Sequence, residues 1–201
     1  MLGRYLNYDD LMKKIITLVA QVTLLIGQMA YADGDFDRFN VQAKVIRQDD
    51  TFLFAASYQS PLTACQAYRY LTDYEAAKKV PGVTESKPTR ISSNKVLVER
   101  SAEEKILFFT VKLHTLIEYT EYPMKGTEFT QIKGDSKRFS GKWFVEPNTL
   151  GSVIRYEGVL EPDSHLPMFV LKYFIENSLE DRFKIMAKLS AERKSIEVSC
   201  N

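Results

Sequence analysis

Few side chains in this 201-residue sequence have reactive chemistry: two histidines, two cysteines and one tryptophan. His114 lies in a run where Val111, Leu113, Thr115, Ile117 and Tyr119 alternate with Lys112, His114, Leu116 and Glu118. In a strand, alternate side chains share a face. The apolar set belongs to a core, which turns His114 towards solvent and away from acid–base catalysis. His165 sits between Pro162 and Pro167, in a loop that would put it at a helix cap or a cavity mouth. No Gly-x-Ser-x-Gly elbow is present, so serine hydrolase chemistry has no support. No Gly-x-Gly-x-x-Gly run or phosphate loop is present, so no nucleotide cofactor is expected. The aspartates at 33, 35, 37, 49 and 50 lack EF-hand spacing. Two cysteines and two histidines are too few for a Cys/His zinc site. These residues lead to no catalytic residue, no metal and no cofactor.

The aromatic residues say more. Phe139, Gly141 and Trp143 fall on one face of a strand, and Ile154 and Tyr156 are expected to meet them from the next. Gly141, between two large rings, is expected to leave open space there. The same residues would equally make an ordinary aromatic core. Buried Tyr and Trp need a partner for the hydroxyl or indole N–H, which a pocket supplies as water or a ligand head group. Arg138 and Arg155 flank the set and would either hold an anionic head group or stay solvated on the sheet. This is the chemistry of binding. Removing apolar ligand surface from water yields ~25 cal/mol per Å² before ordering costs.

The elements that must position these residues follow from periodicity. Thr51–Gln59 alternates as a strand, with Phe52, Phe54, Ala56 and Tyr58 on one face. Ser60-Pro61 has the residue types of a helix cap and first turn, which predicts a helix to about Leu71. A second short helix, opened by Thr72 or Asp73, ends before Val80-Pro81-Gly82. From Val83 to Glu161, period-2 runs near 84–92, 95–106, 111–122, 126–133, 138–146 and 152–161 are separated by polar turns. With no helix between them they predict an antiparallel meander. The last element is a long helix over about 167–194. Leu171, Phe174, Ile175, Leu179, Phe183, Met186 and Leu189 make its apolar stripe.

Lys plus Arg is 27 and Asp plus Glu is 26, a net charge of +1. A nucleic-acid binder shows a basic surplus to neutralise phosphates, so nucleic acid is not an expected partner. The N-terminal part reads Met12-Lys13-Lys14, an apolar run from Ile15 to Ile26, then Ala30-Tyr31-Ala32. That is the pattern of a secretory signal cut after Ala32. An apolar run of about a dozen residues is short of the ~20 that span a bilayer. Asp9 and Asp10 do not suit a basic leader, so Met12 reads as the true start. The expected location is the bacterial periplasm or the exterior. In such an oxidising compartment Cys65 and Cys200 are candidates for a disulfide, against two free thiols.

Gly134-Asp135-Ser136-Lys137-Arg138-Phe139-Ser140-Gly141-Lys142-Trp143 resembles the Gly-Asp…Phe-x-Gly-x-Trp run of the polyketide cyclase and coenzyme Q-binding branch of the START-like helix-grip superfamily. Val153-Ile154-Arg155-Tyr156-Glu157, Glu161-Pro162 and Leu71-Thr72-Asp73…Val80-Pro81-Gly82-Val83 extend the resemblance, which covers 51–194. It implies an α+β helix-grip fold: a curved antiparallel sheet of about seven strands wrapped on a long C-terminal helix, with two short helices after the first strand. The expected organisation is a signal peptide at 1–32, a polar lead-in at 33–50 and a START-like ligand-binding domain at 51–201. The resemblance also implies a cavity between sheet and helix. Trp143, Phe139, Tyr156, Phe174 and Phe183 are the expected ligand-binding residues. The expected function is to hold a lipid or other apolar small molecule, which allows transient membrane contact. The alternatives are a cyclase- or hydrolase-type enzyme using the same cavity, and a partner-binding protein whose cavity is vestigial. A fold of this kind hosts unrelated tasks.

Overall fold

The computed structural model describes residues 37–106, 109–163 and 168–193. The chain divides into Met1–Arg38, nearly all outside the described residues, and Phe39–Asn201. The proposed signal segment, His165 and Cys200 also lie outside them.

Eight strands are described: β1 (Gln42–Gln48), β2 (Thr51–Ser60), β3 (Val83–Arg90), β4 (Lys95–Ile106), β5 (Phe109–Tyr122), β6 (Gly126–Gly134), β7 (Ser136–Asn148) and β8 (Gly151–Pro162). Two α-helices, α1 (Ala64–Leu71) and α2 (Met168–Arg193), and a 3-10 segment at Tyr74–Lys79 complete the domain. The strands form one open sheet in the order β1-β2-β8-β7-β6-β5-β4-β3, antiparallel throughout. The helical link from β2 to β3 carries the chain to the opposite edge, and the meander then walks back until β8 pairs with β2. This is the helix-grip arrangement.

Three local expectations are corrected. The sheet has eight strands where about seven were expected, because β1 lies inside the stretch read as a polar lead-in. Its signal is faint: Val41, Ala43 and Val45 pack on the core while Gln42, Lys44, Ile46 and Arg47 are exposed. Lys44 and Arg47 on β1, and Lys87, Pro88 and Arg90 on β3, also discourage a further strand from pairing at either edge. The helix cap is not Ser60, which pairs with Ser152 as the last residue of β2. Thr63 takes that role: its hydroxyl accepts from Gln66 N, and Gln66 Oε1 accepts from Thr63 N, a reciprocal capping box. The second short helix is a 3-10 segment, and Asp73 does cap it by accepting from Ala76 N.

The core follows from alternation. Phe52, Phe54, Ala56 and Tyr58 of β2 point inward, as do Val96 and Val98 of β4 and Ile117 and Tyr119 of β5. The 26-residue helix α2 is ~39 Å long. It buries Leu171 and Phe183 of the predicted stripe, with Phe174, Ile175, Leu179 and Met186 partly buried, and also Ala187 and Ser190, which the stripe did not include. Polar contacts fix its C-terminal half. Ser60 Oγ donates to Ser190 Oγ at 3.1 Å, and the Tyr70 hydroxyl donates to the Met186 carbonyl at 3.1 Å. These groups would be costly to bury unpaired.

Candidate functional site

A cavity of about 540 Å³ lies between the sheet, the C-terminal half of α2, and the α1 and 3-10 segments. That falls within the ~300–1,000 Å³ of small-molecule sites. Its floor is a connected set of rings. Trp143 and Tyr156 are cross-strand partners on β7 and β8, with centroids 4.6 Å apart. The Trp143 ring stacks on Phe183 of α2 at 5.6 Å and 11°. Phe129 of β6 lies parallel to Tyr156 at 6.1 Å and contacts Phe139 at 5.0 Å. Tyr119 and Tyr74 extend the set towards the 3-10 segment, with centroids 4.6 Å apart.

Two glycines let these rings lie against the sheet. Gly141 and Gly158 are direct partners on β7 and β8. A Cβ on Gly141 would lie 2.4 Å from the Glu157 carbonyl oxygen and 2.8 Å from the Phe129 ring. A Cβ on Gly158 would lie 2.3 Å from the Tyr156 hydroxyl oxygen. Gly141 therefore leaves no open space, contrary to the sequence expectation: Phe129 fills it.

The polar groups divide into rim and interior. At the rim, Arg193 pairs with Asp73 at 2.7 Å, and Arg182 pairs with Glu104, joining α2 to the segments facing it. Inside, the wall carries the phenols of Tyr70, Tyr74, Tyr119 and Tyr156 together with Arg100. Burial pushes the hydroxyls of Tyr70, Tyr74 and Tyr156 well above the ordinary phenol range, and the Glu121 carboxylate adds to this at Tyr74. Glu121 is 6% exposed and takes both terminal nitrogens of Arg90, at 2.9 and 3.1 Å. Arg100 Nη1 donates to the Tyr119 hydroxyl at 3.4 Å. Arg100 Nε is buried with no hydrogen-bond partner among the described residues.

Of the expected ligand-binding residues, Trp143, Phe139, Tyr156 and Phe183 line this cavity. Phe174 does not; it packs on the core beyond it. Arg138 and Arg155 lie on the other face of the sheet. Arg138 is exposed, and Arg155 pairs with Glu146 and Glu157 and stacks over Phe144, 4.0 Å from its centroid. His114 is exposed, with Nδ1 3.0 Å from Ser101 Oγ, and takes no part in the cavity. Sequence reasoning overlooked Arg100. Its signal was phase: Val96, Val98, Arg100 and Ala102 share a period, which carries a charge to the inner face. Cys65 is half-buried in α1, and pairing with Cys200 concerns a residue outside those described.

Residues 60–185 match the family model described as polyketide cyclase/dehydrase and lipid transport. The chain belongs to this family. No curated protein matches it in sequence. Among solved structures it is similar to a STAR-related lipid transfer protein from Xanthomonas axonopodis, with TM-score 0.64 and 13% identity, covering 75% of this chain and 93% of that one. Human STARD10 superposes with TM-score 0.55 and 14% identity, covering 81% of this chain and 80% of that one. A di-domain aromatase/cyclase, BexL from the BE-7585A biosynthetic pathway, matches with TM-score 0.58 and 15% identity. That match covers 73% of this chain and 52% of the di-domain protein, so this chain spans about half of it. At these identities the likeness shows the shared helix-grip fold. The family is described by three activities, cyclase, dehydrase and lipid transport, in a single architecture.

Proposed function

We propose that the chain is an exported binding protein that holds a lipid or other apolar small molecule in this cavity, without chemical conversion. The observation that carries the reading is the composition of the wall. Aromatic rings from β6, β7, β8 and α2 enclose a volume suited to a small ligand, and burial raises the phenols of Tyr70, Tyr74 and Tyr156 above their ordinary range. A general acid or base works best with a pKa near the operating pH. Burial moves these phenols the other way, which supports binding over the cyclase or hydrolase alternative. The ligand's apolar body would lie on Trp143, Phe139, Tyr156 and Phe183.

The test is titration with the neutral fluorophore N-phenyl-1-naphthylamine, on wild type and on Trp143→Ala. A Trp in a fully packed core costs ~3–5 kcal/mol on truncation. Trp143 keeps one side towards the cavity, so its loss should be smaller and the fluorophore affinity should fall. A full-size stability loss, with affinity unchanged for the folded fraction, would make Trp143 a core residue and defeat the reading.

A further inference from the structure

We propose that the ligand of this cavity is an anionic amphiphile, a carboxylate or phosphate monoester, with its head group seated on Arg100 beside Tyr119. This rests on the binding role proposed above and adds the charge and orientation of the ligand. It follows from the polar inventory of the wall. Arg182 and Arg193 are paired with Glu104 and Asp73 at the rim, and Lys79 is exposed to water. Arg100 is different. It enters from β4 at an inward position, and no carboxylate is within ion-pair distance of it among the described residues. Its hydrogen bond is the 3.4 Å contact to the Tyr119 hydroxyl, and its Nε–H is buried without a partner among the described residues.

A guanidinium carries five donors and stays charged at all working pH values. A buried donor left unpaired is costly, and although Arg100 as a whole is half-buried, its Nε–H is in that state. An anionic head beside Arg100 would meet this need, taking the free Nε–H and a terminal N–H in the fork geometry suited to carboxylate and phosphate. Tyr119 assists. Its oxygen accepts from Arg100 Nη1, which leaves its own proton free to donate to the same head. Of the remaining interior phenols, that of Tyr70 already donates to the Met186 carbonyl, while that of Tyr74 is buried with no hydrogen-bond partner among the described residues. At Arg100 an alkylammonium head would find donors and a positive charge where it needs acceptors; the carboxylates of the lining, Asp73 and Glu192, belong to the segments at the rim. The aromatic floor of Phe129, Phe139 and Trp143 then receives the apolar body.

The experiment is displacement of bound N-phenyl-1-naphthylamine by four twelve-carbon ligands: dodecanoate, dodecyl phosphate, dodecanol and dodecylammonium. The two anions should displace the probe on the order of 10- to 100-fold more tightly than the alcohol, with the ammonium weakest. The ratio of dodecanoate to dodecyl phosphate tells which head chemistry the site prefers. In Arg100→Gln the affinities of the anions should fall to that of dodecanol measured on the same variant. Tyr119→Phe, which keeps the ring and removes the hydroxyl, should reduce the preference several-fold and serves as the second variant if Arg100→Gln fails to fold. Equal displacement by all four ligands, a preference for the ammonium, or an anion preference undiminished by either substitution would overturn the proposal while leaving the cavity reading intact. Failure of the probe to bind wild type would defeat both.

Discussion

Gly141→Ala separates a packed sheet surface from an open cavity floor with one methyl group. The new Cβ would lie 2.4 Å from the Glu157 carbonyl oxygen on β8 and 2.8 Å from the Phe129 ring. The ring can tilt, but the carbonyl belongs to a strand paired on both sides and cannot retreat without distorting the ladder. Overpacking of this kind costs ~1–3 kcal/mol. Replacing glycine lowers the entropy of the unfolded chain and returns ~0.4–1 kcal/mol. The net expectation is a loss of ~0.5–2 kcal/mol. For a domain of this size that lowers Tm by about 1–8 °C, at 2–4 °C per kcal/mol. Differential scanning calorimetry on wild type and variant reads it directly. If the methyl instead entered open space, Tm would hold or rise and N-phenyl-1-naphthylamine binding would weaken as the cavity filled. That combination would refute the packing described here and restore the reading of Gly141 as a space-maker.

Other expectations concern charge and covalent state. The hydroxyls of Tyr58, Tyr70, Tyr74 and Tyr156 are raised by burial in the folded protein, so their contribution is complete below pH 10 and is lost as the unfolded phenols ionise above it. Urea midpoints should stay flat to about pH 9 and then fall, by up to ~1.4 kcal/mol per pH unit for each group; a flat profile through pH 11.5 would contradict the burial of these hydroxyls. Arg90→Met leaves the Glu121 carboxylate, 6% exposed, without its counter-ion. Because Arg90 itself is half exposed, the expected loss in urea denaturation is ~1–3 kcal/mol rather than the larger penalty of a fully buried pair. Thiol titration of unreduced, denatured protein should find no free thiol, as a Cys65–Cys200 bridge requires; two reactive thiols would rule the bridge out. Sequencing the N-terminus of exported protein should give Asp33; a start at Met1 or Met12 would remove the signal peptide from the account.

The meander and α2 were legible because their signals are long and regular. Six period-2 runs and a seven-residue apolar stripe leave little freedom in how the chain hides its hydrophobic side chains. β1 was less so: only Val41, Ala43 and Val45 face inward, and five aspartates nearby gave the segment a polar cast. The cap of α1 was displaced from Ser60 to Thr63 because sheet pairing claimed Ser60, a tertiary demand that local preference does not register. In the site, Trp143, Phe139, Tyr156 and Phe183 could be placed from strand phase and the helix stripe. Phe174 shares that stripe but sits more than two turns before Phe183, where the helix covers core instead of cavity. The role of Gly141 was misread because a glycine between rings looks the same in sequence whether the space above it is empty or filled from a third strand.

The pairing of β2 with β8 bears on how the molecule folds. Phe52 meets Leu160 and Ser60 meets Ser152, so each contact closes a loop of roughly a hundred residues. By the logarithmic cost of loop closure that is ~2 kcal/mol more than a ten-residue hairpin requires. The hairpins from β3 to β7 involve near neighbours and can form without it. During synthesis the β1–β2 hairpin must wait, with one edge unpaired, until the last strand emerges, and the cavity floor is incomplete for that whole interval. Non-local pairings of this kind slow folding and expose strand edges to aggregation. A chain truncated before Gly151 would keep the meander and lose the partner of both β2 and β7, adding two open edges to those of β1 and β3.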